Sequence, residues 1–137
     1  MASHPHDPDS VYIVPLQSDL FRCTPEARLR VYRTRDAGAS WKPLAKGLPQ
    51  KDAWETVLRD GLTTDTAEPA GIYFGTRSGK LFASRDEGGS WERLAEGLPP
   101  VTCVRAAVVR GVAPAATPRP KHPPRARASR ARARRSR

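Results

Sequence analysis

The octapeptide TRDAGASW at residues 34–41 returns fifty residues later as SRDEGGSW at residues 84–91, with a hydroxyl residue, Arg, Asp, Gly, Ser and Trp at matching offsets. No other property of the chain constrains its fold as much. Repeats with a period of roughly 20–50 residues belong to proteins that stack copies of one supersecondary unit. The match extends well beyond the octapeptide. VYRTRDAGASWKPLAKGLPQ (31–50) lies over LFASRDEGGSWERLAEGLPP (81–100), so that Leu44, Ala45, Gly47, Leu48 and Pro49 fall on Leu94, Ala95, Gly97, Leu98 and Pro99. Upstream, DPDSVYIV (7–14) lies over EPAGIYFG (68–75) at a different offset, and the first copy carries eleven extra residues, roughly QSDLFRCTPEA, between its two blocks.

Between clusters of Gly, Pro and Asp the chain has short runs rich in Val, Ile, Tyr, Phe and Trp, the pattern of β-strands bounded by turns. Strands are expected near Val11–Pro15, Leu29–Thr34, Trp41–Ala45, Thr56–Arg59, Ile72–Gly75, Leu81–Ser84, Trp91–Ala95 and Thr102–Val109. Tyr12, Tyr32, Tyr73 and Phe74 alternate within these runs and are expected to pack in the core or between blades. No segment shows a capped 3.6-residue period. The expected fold is all-β, with about two four-stranded antiparallel units in a body spanning 1–109 and repeat cores at 7–50 and 68–100.

The octapeptide falls between two expected strands and therefore reads as a hairpin loop. An Asp that opens such a loop accepts hydrogen bonds from backbone N–H groups a few residues on, and Gly38 or Gly88 can take a positive φ. Ser40 or Ser90 can tie the far side of the loop to the backbone. Trp41 or Trp91 then buries a ring beneath the hairpin. Every fixed position has a structural role, so Thr34, Asp36, Gly38, Ser40, Trp41, Ser84, Asp86, Gly88, Ser90 and Trp91 are expected to build turns.

Those ten residues resemble the Asp-box, S/T-x-D-x-G-x-S/T-W, of bacterial neuraminidase (BNR) repeats. HPHDPDSVYIVP, RVYRTRDAGASW and GIYFGTRSGKLFASRDEGGSW resemble segments of BNR-repeat and YVTN/WD-like β-propellers, including exo-α-sialidase-like and glycosyl hydrolase-like proteins, over about residues 4–109. The resemblance implies propeller blades with each box at the turn between the third and fourth strands, on the rim and away from a central pocket. It also implies a comparison with sialidases, which use an arginine triad, a Tyr nucleophile assisted by Glu, an Asp acid/base and an F/Y-R-I-P tetrapeptide. FRCT (21–24) keeps only the first two residues of that tetrapeptide and lies in the inserted loop, so no catalytic residue carries over.

Other chemistry is thinly represented. Glu55, Asp60, Asp65 and Glu68 could supply a glycosidase carboxylate pair, but the sequence prefers no two of them. His4 and His6 are separated by Pro and have no Cys or His cluster beside them, which argues for a surface loop over a metal site. GTRSGK (75–80) echoes a phosphate loop but continues into Leu81 and joins two strands. Cys23 and Cys103 form no metal spacing or CxxC pair and read as idle or buried thiols, with a mutual disulfide left open. No catalytic, cofactor-binding or metal-binding residue is assigned, and no cofactor is expected.

The formal net charge of +10 is not spread over the chain. Residues 110–137 hold nine Arg, one Lys and no acid, while residues 1–109 balance 14 basic against 14 acidic side chains. The tail is a low-complexity Ala/Arg/Pro segment that cannot bury a core and is expected to be disordered. It reads as an adventitious, for instance frameshifted, extension. The alternative is a polyanion or nucleic-acid binder acting weakly through counterion release. With no secretory signal and no apolar run of roughly 20 residues, the chain is expected to be soluble and cytoplasmic, without a membrane partner. A closed propeller has about four to eight blades, so two units imply either the C-terminal part of a longer propeller or assembly from several copies. The leading functional expectation is a structural or binding module, with any glycan or protein ligand left open; the alternatives are part of a glycoside hydrolase, or the tail-driven polyanion binder.

Overall fold

In the computed structural model, which describes residues 1–109, the chain forms eight strands in two four-stranded antiparallel sheets. The first sheet contains β1 (Ala2–Ser3), β2 (Val11–Ile13), β3 (Val31–Thr34) and β4 (Lys42–Leu44). The second contains β5 (Leu62–Thr64), β6 (Ile72–Gly75), β7 (Leu81–Ser84) and β8 (Glu92–Ala95). Each sheet is a meander in which every strand pairs with the next in sequence. Helical structure is limited to two 3-10 turns, Pro25–Ala27 and Arg59–Gly61, among the described residues. No helix among them is long and apolar enough to cross a membrane. The expectations for the basic tail lie outside the described residues.

The two sheets repeat in register as well as in order. Ser3 pairs with Val11 as Thr64 pairs with Ile72, and Val11 pairs with Thr34 as Ile72 pairs with Ser84. Equivalent residues are therefore 61 apart in the first two strands and 50 apart in the last two. The eleven extra residues of the first unit lie in the loop joining β2 to β3, where Leu20 and Phe21 stand exposed.

Several expected elements are corrected. Thr56–Arg59 joins no sheet, and its last residue already opens the second 3-10 turn. The strap around it distributes its backbone bonds singly over several loops: Thr24 N–H donates to Glu55 O at 2.9 Å, Ala53 N–H to Ala27 O at 2.9 Å, and Arg77 N–H to Thr56 O at 2.9 Å. The strand that starts the second sheet lies further on, at β5, after Gly61 N–H closes a turn onto Leu58 O at 2.9 Å. Thr102–Val109 likewise forms no strand; Val104 N–H makes one bond to Asp60 O at 2.9 Å, with no strand alongside to extend it into a ladder. Strand β1 had no strand-like run to announce it. The repeat cores accordingly begin upstream of residues 7 and 68.

One hydrophobic core serves both sheets. Tyr12, Leu29, Val31 and Leu44 from the first unit and Leu62, Ile72, Phe74, Phe82 and Trp91 from the second belong to it, joined by Leu48, Ala53 and Val57 of the connecting segment. Tyr12 and Phe74 are fully buried, whereas Tyr32 and Tyr73 are only partly covered. Phe74 stacks on Phe82 with centroids 5.0 Å apart and meets Trp91 edge-on at 5.2 Å. Strands β1 and β5 lie against each other across the junction, where Thr64 Oγ1 donates to Ser3 O at 2.9 Å.

Candidate functional site

The octapeptides form the turns between β3 and β4 and between β7 and β8. In the first, Asp36 Oδ1 accepts from Thr34 Oγ1 at 2.7 Å and from Ser40 N–H at 2.8 Å, while Oδ2 accepts from the Ser40 hydroxyl. The second reproduces this set: Asp86 Oδ1 accepts from Ser84 Oγ at 2.7 Å and Ser90 N–H at 2.8 Å, and Oδ2 accepts from Ser90 Oγ at 2.7 Å. Gly38 N–H and Gly88 N–H each return to the opening hydroxyl, Thr34 or Ser84, at 2.8 Å. The positive φ of Gly38 (99°) and Gly88 (87°) lets the chain reverse at that point.

Both oxygens of each Asp are thus committed to the turn that carries it. Hydrogen bonds to an ionised carboxylate favour the charged form. The Ser40 hydroxyl, then the Ser40 amide and Thr34, hold the Asp36 carboxyl down to about 2. Desolvation opposes ionisation of Asp86, but bonds from Ser84 and Ser90 outweigh it and keep its pKa below the usual carboxylate range. Carboxylates held ionised in this way are poor proton donors at neutral pH.

The two turns differ in their surroundings. Trp91 is 6% exposed and packs in the shared core, while Trp41 is 40% exposed. The expectation that either Trp buries its ring beneath its hairpin therefore fails for Trp41. The cause is the neighbour: the first unit lies against Trp91 and nothing among the described residues covers Trp41 to the same degree. Trp91 N–H donates to Lys46 O at 2.9 Å, and a Cβ built on Gly88 would stand 2.4 Å from Leu44 Cδ1.

Glu87, at the tip of the second turn, completes this junction. Its carboxylate lies 3.3 Å from His4 Nε2, 3.2 Å from Arg35 Nη2 and 3.7 Å from Arg33 Nη1, and its carbonyl accepts from Arg33 Nη1 at 3.2 Å. His6, the other histidine of the sequence motif, sits 3.1 Å from Ala67 O. Sequence reasoning missed Glu87 because its partners lie more than fifty residues away in the chain.

The remaining carboxylates that the sequence offered do not converge. Glu55 is buried, with Oε1 2.7 Å from Lys80 Nζ and Oε2 accepting from Ser78 Oγ at 2.6 Å. Burial pushes its pKa up, but Lys80 and Ser78 outweigh that and hold it low. GTRSGK thus folds around a carboxylate belonging to the chain itself. Asp65 accepts from Ala67 N–H at 3.0 Å, Gly71 N–H at 2.8 Å and Tyr73 OH at 2.8 Å, which fixes the turn between β5 and β6. Asp60 is exposed and pairs with Arg105 at 3.5 Å; Glu68 is exposed in the same β5–β6 turn. Cys23 and Cys103 are both free thiols, partly covered and exposed respectively.

A cleft of about 550 Å³ opens between the sheets, lined by Met1 and Leu62, by Ile13 and Leu16, and by the charged Asp19, Arg22, Arg59 and Asp60. It was invisible in the sequence because its walls come from the inserted loop and the connecting strap together. Neither protein-family models nor curated protein sequences match this chain.

Proposed function

We propose that the chain is a two-blade segment of a β-propeller of the Asp-box kind, acting as a structural and binding module with no catalytic set of its own. The carrying observation is the duplicated carboxylate network, in which Asp36 and Asp86 each direct both oxygens into their own turn. Two meanders of four strands, side by side with their first strands in contact and their octapeptides between third and fourth strands, support the blade reading. On that reading the cleft beside Met1 and Leu62 lies at the inner ends of the blades and is the place for a ligand.

The test combines stability and turnover. Asp36→Ala and Asp86→Ala are expected to lower the melting temperature, and the unsubstituted chain is expected to leave a fluorogenic sialoside intact. Turnover that disappears in Asp60→Asn or Asp19→Asn would reject the module and favour a glycoside hydrolase, because both carboxylates line the cleft.

A further inference from the structure

We infer that the two outer faces of this chain are complementary halves of a single interface, and that a second copy of the chain docks one onto the other. The inference rests on the two-blade reading and uses the junction inside the chain as its template. In that junction the second unit presents Glu87, Gly88 and Trp91, and the first receives them with His4, Arg33, Leu44, Lys46 and Gly47.

Among the described residues, the packing parts of this junction have uncovered counterparts on the outer faces of the two units. Trp41 matches Trp91 but is 40% exposed where Trp91 is 6%; Leu94 matches Leu44 but is 48% exposed where Leu44 is 7%. A Cβ on Gly47 would strike Trp91 O at 2.2 Å, whereas one on Gly97 would find nothing within 4 Å. A Cβ on Gly88 would strike Leu44, whereas one on Gly38 would approach only Trp41 of its own turn, at 4.0 Å. Among the described residues, the first unit thus has an uncovered turn, and the second an uncovered receiving face.

Charge agrees with this pairing. The acidic tip Glu87 meets Arg33 inside the chain, while its counterpart Ala37 is neutral and the counterpart of Arg33 is the equally neutral Ala83. Tip and receiver have changed together, so docking Ala37 beside Ala83 buries no unpaired charge. The counterpart of His4, Asp65, has its carboxylate engaged by Ala67, Gly71 and Tyr73. Arg85, matching Arg35, pairs with Glu92 at 3.2 Å. An open cleft of about 240 Å³ borders Ala83, Arg85 and Trp91, where the incoming turn would sit. Because the docking surfaces differ, the contact is heterologous and closes into a ring if the rotation between copies permits. A ring of about four to eight blades would take about two to four copies.

Cross-linking separates this inference from the reading beneath it. The Cβ of position 88 would lie 3.6 Å from Leu44 Cβ, within the roughly 3.5–4.5 Å that a disulfide accepts. In a full-length Cys23→Ser/Cys103→Ser background, Leu44→Cys with Gly88→Cys is expected to close a disulfide within one chain. Gly38→Cys protein mixed with Leu94→Cys protein is expected to give a covalent dimer of the two, formed in preference to either homodimer. Sedimentation of the unsubstituted chain is expected to show assembly that Leu94→Asp abolishes without loss of folding. An intrachain 44–88 bridge without any 38–94 dimer, together with a chain that stays monomeric at every concentration, overturns the second copy and leaves the two blades standing. Failure of the 44–88 bridge in folded protein overturns both.

Discussion

Gly47 and Gly97 occupy the same place in the repeat, and replacing each by Ala gives unequal effects that the structure allows to be worked out. Both have positive φ, 91° and 79°. A Cβ in that left-handed region costs about 1–2 kcal/mol, a penalty the two variants share. Only Gly47 faces the other unit, where the new methyl would stand 2.2 Å from Trp91 O. Relieving such an overlap costs about 1–3 kcal/mol. Moving Trp91 away also loosens its 2.9 Å bond to Lys46 O, a contribution of about 1 kcal/mol. Gly47→Ala is therefore expected to be less stable than Gly97→Ala by about 2–4 kcal/mol, from the overlap and the loosened bond together. For a folded body of this size, that is a difference in melting temperature on the order of 10–20 °C. Thermal unfolding followed by circular dichroism, on protein dilute enough to keep copies apart, measures it. Equal melting temperatures for the two variants would refute the packing of the second octapeptide turn on the first unit.

Trp91→Ala is expected to cost about 3–5 kcal/mol, and Trp41→Ala much less in dilute protein, a contrast read from the same melts. Lys80→Met leaves the Glu55 carboxylate buried without its cation and is expected to cost about 3 kcal/mol at neutral pH; the deficit should shrink in acid as Glu55 takes up a proton. Asp36, Asp86, Asp65 and Glu55 all have folded pKa values below their ordinary ones. Their stabilisation is complete above the unfolded carboxylate values, near pH 4, and is lost as pH falls through the folded ones. Melting temperature should accordingly be flat from neutral pH to about 5 and decline below about 4, which a pH series of unfolding curves checks; a decline already complete at pH 5 would contradict it. Any binding of DNA is expected to weaken steeply with salt and to vanish when residues 110–137 are removed, as measured by fluorescence anisotropy.

The repeat made most of the fold legible in advance. Ile72–Gly75 and Leu81–Ser84 coincide with their apolar runs, because a long run with turn formers on both sides leaves little choice of ladder. The octapeptide turns were readable for a related reason, since the bonds of Asp36 and Asp86 reach no more than four residues along the chain. What escaped was long-range. Thr56–Arg59 has strand-like residues, yet its neighbours are loops, so no ladder forms. Trp41 and Trp91 occupy the same position of the repeat and differ in exposure because only one has a unit packed against it. Glu87 stands where the first octapeptide has Ala37, and only the fold brings His4, Arg33 and Arg35 round it; the cleft likewise depends on an inserted loop whose path no local pattern specifies.

The central claim is that two copies of one four-stranded unit pack side by side through the second octapeptide turn. Nuclear Overhauser contacts in dilute, isotope-labelled protein test it most directly. Gly88 Hα is expected to show a strong contact to the Leu44 methyl groups, since a Cβ at Gly88 would overlap Leu44 Cδ1. Within one chain Gly38 and Leu94 should show none. A folded protein in which Gly88 and Leu44 give no contact would contradict the account.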